Sequence, residues 1–134
     1  MQTIILFMSK SAKIKAKIYY DDWRKEKTYS PALKKNINIT LKGWRHITGD
    51  DQYKKRVFND VYRRLKLLPS AKFIIKKSST IQSVRVKNSI KYFALEAVVP
   101  VKINKSKTLR IVKVIIQEDK IGNLVFLSVM DKKS

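Results

Sequence analysis

Beyond Pro69 the apolar residues of this 134-residue chain stop recurring every three or four positions and begin to alternate. Alternation sends successive side chains to opposite faces of an extended strand. Residues 73–75, 81–87, 91–103, 109–117 and 124–130 are predicted strands on this ground. Turn formers stand between them: Ser78-Ser79, Asn88-Ser89, Asn104-Lys105-Ser106 and Gly122-Asn123. Short joints favour antiparallel neighbours, so the second half of the chain is expected to fold as a meander. It shows no strand–helix alternation and no Gly-rich phosphate loop.

Before Pro69 the pattern is mixed. Gly49-Asp50-Asp51 opens the clearest helix, with Asp50 or Asp51 as its cap. Val57, Val61, Leu65 and Leu68 follow at helical spacing, and Pro69 is expected to close it. Lys54, Lys55, Arg56, Arg63, Arg64 and Lys66 form its opposite face. Upstream, residues 10–20 alternate lysine with apolar residues, which favours a strand with a basic outer face. A helix competes there, because Lys and Ala are good helix formers. The apolar run 4–8 is too short for a signal-peptide core and reads as a short strand or packed tail. Asp21 to Pro31 reads as a polar connection in which Trp23 fills a surface groove, and 32–42 stays ambiguous. The expected fold class is α+β: an N-terminal helical or irregular segment and one main helix, packed on a four- to five-stranded antiparallel meander sheet. The expected division is an N-terminal extension, 1–38, followed by a functional domain, 39–134.

Charge narrows the partners. The chain carries 31 Lys and Arg against 10 Asp and Glu, a formal net charge of +21. Such a surplus repels itself and attracts polyanions, nucleic acid first. Between Val61 and Leu95 there are nine basic residues and no acidic one, so the charge is built into folded elements. A hydrophobic content of 44% marks a globular chain and not a basic tail. No stretch approaches the roughly 20 apolar residues of a membrane span, and a cytoplasmic location is expected.

The same composition removes several chemistries. There is no cysteine and only one histidine, His46, which argues against a zinc site. The carboxylates are few for a metal-dependent nuclease, so neither metal nor cofactor is expected. RNA cleavage through its own 2′-hydroxyl remains open, because the substrate supplies the nucleophile. It needs a group to move protons and cations to hold the phosphate.

Trp44-Arg45-His46-Ile47, followed by a basic helix and a meander, carries a resemblance. The last hairpin of that meander runs from Ile115-Ile116-Gln117-Glu118-Asp119 to Gly122-Asn123-Leu124-Val125-Phe126-Leu127-Ser128-Val129. Together these resemble the barnase–EndoU–colicin–RelE group of metal-independent ribonucleases, in its phage and polymorphic-toxin branches. The resemblance covers roughly residues 39–130, most of a domain of ordinary size. It implies a toxic endoribonuclease acting on RNA, of the transfer or messenger class, and an acidic antitoxin or immunity protein as partner. It further implies catalytic roles for His46, for Lys113 or Arg110, and for Ser128.

The residues themselves add detail. His46 is the only side chain whose ordinary pKa lies near neutrality. Arg110 and Lys113 are an odd number of positions apart, so a regular strand sends them to opposite faces. Arg45, Arg85 and Lys91 are candidate phosphate contacts. Trp44 is a candidate base-stacking platform, as are Tyr53, Tyr62 and Tyr92. The competing reading is a non-catalytic basic nucleic-acid-binding protein.

Overall fold

A computed structural model describes residues 2–49, 58–103 and 106–132. Helix α1, Gln2–Arg24, is followed by two short strands, β1 (Tyr29–Ser30) and β2 (Lys35–Asn36). Three helices come next: α2 (Leu41–Thr48), α3 (Phe58–Lys66) and α4 (Leu68–Lys77). Four strands complete the chain: β3 (Ser83–Lys87), β4 (Ile90–Ile103), β5 (Ser106–Glu118) and β6 (Leu124–Lys132). They form one antiparallel meander in the order β3-β4-β5-β6, so the α+β class and the sheet are as expected. The cap at Asp50 or Asp51, the helix positions from Tyr53 to Val57, and Asn104 and Lys105 lie outside the described residues.

The structure departs from expectation at the N-terminal segment, at Trp23 and around Pro69. Residues 4–8 are helical, not strand or tail, and 10–20 take the helix that competed with the favoured strand. Ala12, Ala16, Tyr19, Tyr20 and Trp23 recur at helical spacing and turn inward, while Lys13 and Lys15 stay exposed. The lysine alternation hid this stripe, because Ile14 and Ile18 are surface residues, 62% and 58% exposed. Trp23 is accordingly a core residue, 1% exposed, and not the filler of a surface groove.

Pro69 does not stop a helix; it stands in the first turn of α4, where its missing N–H costs nothing. Residues 73–75 therefore belong to α4, not to a strand. Leu68, Ala71, Ile74 and Ile75 are buried at helical spacing and Phe73 points outward. The single main helix of the sequence reading is thus replaced by α3 and α4, and α1 is the longest helix.

One face of the sheet holds the core. Register places Leu95, Val99 and Val101 of β4 with Val112, Val114 and Ile116 of β5, and with Phe126 and Val129 of β6. All are buried. Tyr20, Trp23, Ile37, Trp44 and Ile47 pack into the same cluster, which therefore draws on both sides of position 38. The opposite face is open, with Val98 and Leu109 about 60% and 61% exposed. Asn88 and Ser89 both take positive φ, as the tight β3–β4 hairpin turn requires.

The outer edge of β6 is covered, not left free to pair. Asn38 N–H donates to the Leu124 carbonyl and Phe126 N–H donates to the Asn38 carbonyl, so residue 38 adds a short parallel rung. Helix α2 then lies against β6. Thr40 caps α2, its hydroxyl accepting from Lys42 N–H, and Gly49 ends it at φ 79°. The approach is close at Gly43: a Cβ there would stand 2.7 Å from both the Phe126 carbonyl oxygen and the Tyr20 hydroxyl. Burial pushes the Tyr20 phenol well above its ordinary pKa, and its O–H donates to the Thr40 carbonyl. Gly43→Ala is expected to destabilise the protein by about 1–3 kcal/mol, the usual cost of overpacking. An unfolding midpoint in urea equal to that of the parent contradicts this packing.

Candidate nucleic-acid interface

Helix α3 and the far ends of β4, β5 and β6 enclose a cavity of about 270 Å³ on the helical face of the sheet. Its walls are Tyr62, Arg63, Lys66 and Leu67, facing Val101, Lys102, Arg110 and Asp131. Four of these side chains are cationic and one is anionic. Two further cavities adjoin it, of about 400 Å³ and 290 Å³, and Lys66 lines all three. The 290 Å³ cavity is mostly apolar, so the basic groove is formed by the other two, with Lys66 and Lys102 lining both.

Local structure explains the arrangement. Tyr62 and Lys66 are four residues apart on α3, hence neighbours on one helix face. The Lys66 ammonium lies 4.5 Å from the Tyr62 ring centroid, a cation–π contact. Register puts Arg110 opposite Val99 and Asp131 opposite Val112. Both therefore share the helical face, as diagonal neighbours across the β5–β6 ladder.

The hydrogen bonding here is incomplete. Arg63 Nε lies 2.9 Å from Asp131 Oδ1 in an ion pair, and the Asp131 side chain is only 4% exposed. Its second oxygen, Oδ2, is buried without a partner, and so is Arg110 Nε. A buried polar atom left unpaired costs about 1–3 kcal/mol, so such atoms call for explanation. This pair offers one donor and one acceptor to whatever enters the groove.

Among the other described acids, four are engaged away from the groove. Asp21 is held by Lys17, Glu26 by Lys72, Asp60 by Arg64 and Glu96 by Lys132. The hydrogen bonds from Lys17 and Lys72 keep the Asp21 and Glu26 carboxyls below the usual carboxylate range. Lys102 pairs with no described carboxylate. Nor do Arg85, Lys87 and Lys91, which lie exposed on the β3–β4 hairpin.

The candidate residues from the sequence are divided between two faces. Arg110 lies on the helical face and Lys113 on the open face, as their odd spacing requires. Lys113 stands between Glu96 and Met130 in the ladder. Ser128 is opposite Ile115, on the same face as Lys113, beside a bulge that leaves Leu127 unpaired. Its hydroxyl is buried and accepts from Arg64 Nη1 at 2.8 Å, while Arg64 also donates to the Val129 carbonyl.

His46 is half-buried on α2, four residues after Lys42, whose ammonium donates to Gln117 Oε1 on the open face. Arg45 is exposed on α2. Trp44 is 6% exposed and packs on Tyr20 at 5.6 Å, so its ring is part of the core and presents no stacking platform. None of the three cavities is lined by His46, Lys113 or Ser128.

Sequence reasoning missed Lys66, Lys102 and Asp131 as a group. One signal was present: Asp131 follows Val129 on an inward-facing register of β6, where a lone carboxylate is out of place among apolar neighbours. No family model, curated protein or solved structure matches the chain.

Proposed function

We propose that the protein binds nucleic acid, RNA in the first instance, through the basic groove lined by Lys66 and Lys102. The observation that carries this reading is Arg110, whose Nε–H is buried without an acceptor among three further cations and one carboxylate. A phosphate or a base edge supplies that acceptor. Lys66, Lys102 and Arg63 add charge along the same groove, and Tyr62 adds an aromatic wall.

The test is fluorescence anisotropy with a labelled single-stranded RNA over a range of salt. The logarithm of affinity is expected to fall linearly with the logarithm of salt concentration, by about 0.7 for each phosphate contact. Absence of salt-dependent binding at micromolar protein contradicts the proposal.

A second reading is supported by the placement of His46. Helical spacing sets His46 on the flank of α2 from which Lys42 reaches the open face, and Lys113 and Ser128 share that face. Metal-independent RNA cleavage would draw on His46 to take the 2′-hydroxyl proton and return it to the 5′-oxygen as the P–O5′ bond breaks, and on Lys113 to hold the phosphate, the buried Ser128 hydroxyl being already held by Arg64. Arg110 stands outside that group, and an acidic inhibitor would be its expected partner. Incubation with total RNA in excess chelator separates the readings. Fragments that vanish with His46→Ala support cleavage, and intact RNA at micromolar protein rules it out.

A further inference from the structure

The groove has one feature that charge alone does not require: a buried carboxylate. Asp131 Oδ1 lies 2.9 Å from Arg63, but Oδ2 is buried without a partner, on a residue lining a cavity shared by four cations, Asn59 and an apolar wall. A phosphate cannot satisfy it, because phosphate brings further negative charge. Oδ2 needs an N–H or O–H donor. Arg110 Nε, the diagonal neighbour, needs an acceptor. A ligand that fits both presents a donor beside an acceptor.

We infer that the cavity of Asp131 and Arg110 takes one unpaired nucleobase of a bound strand, read through its Watson–Crick edge. This inference rests on the nucleic-acid reading above and specifies which part of the ligand enters. Every base carries an N–H next to a ring nitrogen or carbonyl acceptor on that edge. In a duplex the edge is already engaged, so only a single strand or a loop can offer it. The size agrees: about 270 Å³ lies just below the usual range for small-ligand pockets, ~300–1,000 Å³, and suits one base. Tyr62, Leu67 and Val101 supply apolar and aromatic wall, while Lys66 and Lys102 at the rim hold the flanking phosphates.

Asp131→Asn gives a test whose sign is diagnostic. The amide oxygen can keep its place beside Arg63, while the amide nitrogen replaces Oδ2 with a donor that opposes the N–H of the base. The substitution also removes a negative charge, so simple attraction of phosphates predicts tighter binding. Base seating predicts the reverse: about tenfold weaker binding of a single-stranded RNA, the scale of one lost base contact. The probes are a single-stranded RNA 12-mer, an abasic strand of the same length, and a duplex of the same sequence.

In the unaltered protein the base-bearing strand is expected to bind more tightly than the duplex, although the duplex has the higher charge density. Asp131→Asn is expected to weaken the base-bearing strand and to leave the abasic strand unchanged or tighter. Retained abasic binding also shows that the variant is folded. Equal or tighter binding of the base-bearing strand by the variant overturns the inference while leaving the basic groove intact. Failure of the unaltered protein to bind any of the three probes removes the underlying reading, and the inference with it.

Discussion

Replacing Trp23 with alanine is expected to lower the unfolding free energy by about 3–5 kcal/mol, the range for deleting a buried large aromatic side chain. The indole is 1% exposed and its centroid lies 5.1 Å from that of Phe126 on β6. It meets Tyr20 edge-on at 5.9 Å. Its Nε1–H donates to the buried Thr28 hydroxyl at 2.9 Å. Removing it opens a cavity between α1 and the sheet and strands the Thr28 oxygen. A domain of this size typically has ~5–15 kcal/mol in total, so the loss is a large share of it. Urea unfolding should show a lower midpoint with an unchanged slope. A loss under about 1 kcal/mol would mean that α1 is not part of the cooperative core, against the burial of Tyr20 and Trp23.

The second large effect concerns binding. Lys66 and Arg110 line the groove, Lys102 borders it at the end of β4 with its side chain on the face opposite Val101, and none of them pairs with a described carboxylate. The triple alanine variant is expected to bind single-stranded RNA on the order of a hundredfold more weakly, at about 1 kcal/mol for each lost contact. Its salt slope should fall by about 1.4, for the two single-strand phosphate contacts of Lys66 and Lys102. Arg85, Lys87 and Lys91 form the control. They are equally basic and exposed on the β3–β4 hairpin, away from the groove. Their triple alanine variant should lose much less affinity. An equal loss for both variants would mean a diffuse electrostatic surface without a defined seat.

The sheet was legible because its signal is local. In β4, β5 and β6 the alternation, the β-branched residues and the turn formers all agree, and each strand lies within a few residues of its expected span. The same alternation misled at residues 10–20. Lys13, Lys15 and Lys17 repeat at period two, whereas burial follows Ala12, Ala16, Tyr19, Tyr20 and Trp23. A three-residue apolar run such as 73–75 cannot separate strand from helix by period, and Pro69 could either end one helix or begin the next.

The site was less legible. The basic surplus and the opposite directions of Arg110 and Lys113 follow from sequence alone. The Asp131–Arg63 pair and the Arg64–Ser128 hydrogen bond join residues more than 60 positions apart, and only tertiary packing brings them together. Trp44 illustrates the limit in the other direction. Beside Arg45 and His46 it reads as a base-stacking residue, yet α2 turns it inward toward Tyr20.

The most direct measurement is the nuclear magnetic resonance signal of the Arg110 Nε–H during titration with single-stranded RNA. The groove account predicts that this resonance shifts together with the backbone amides of Tyr62, Lys66, Lys102 and Asp131. An unmoved Arg110 Nε–H, with shifts confined to Val98, Leu109 and Lys113 on the open face, would contradict it.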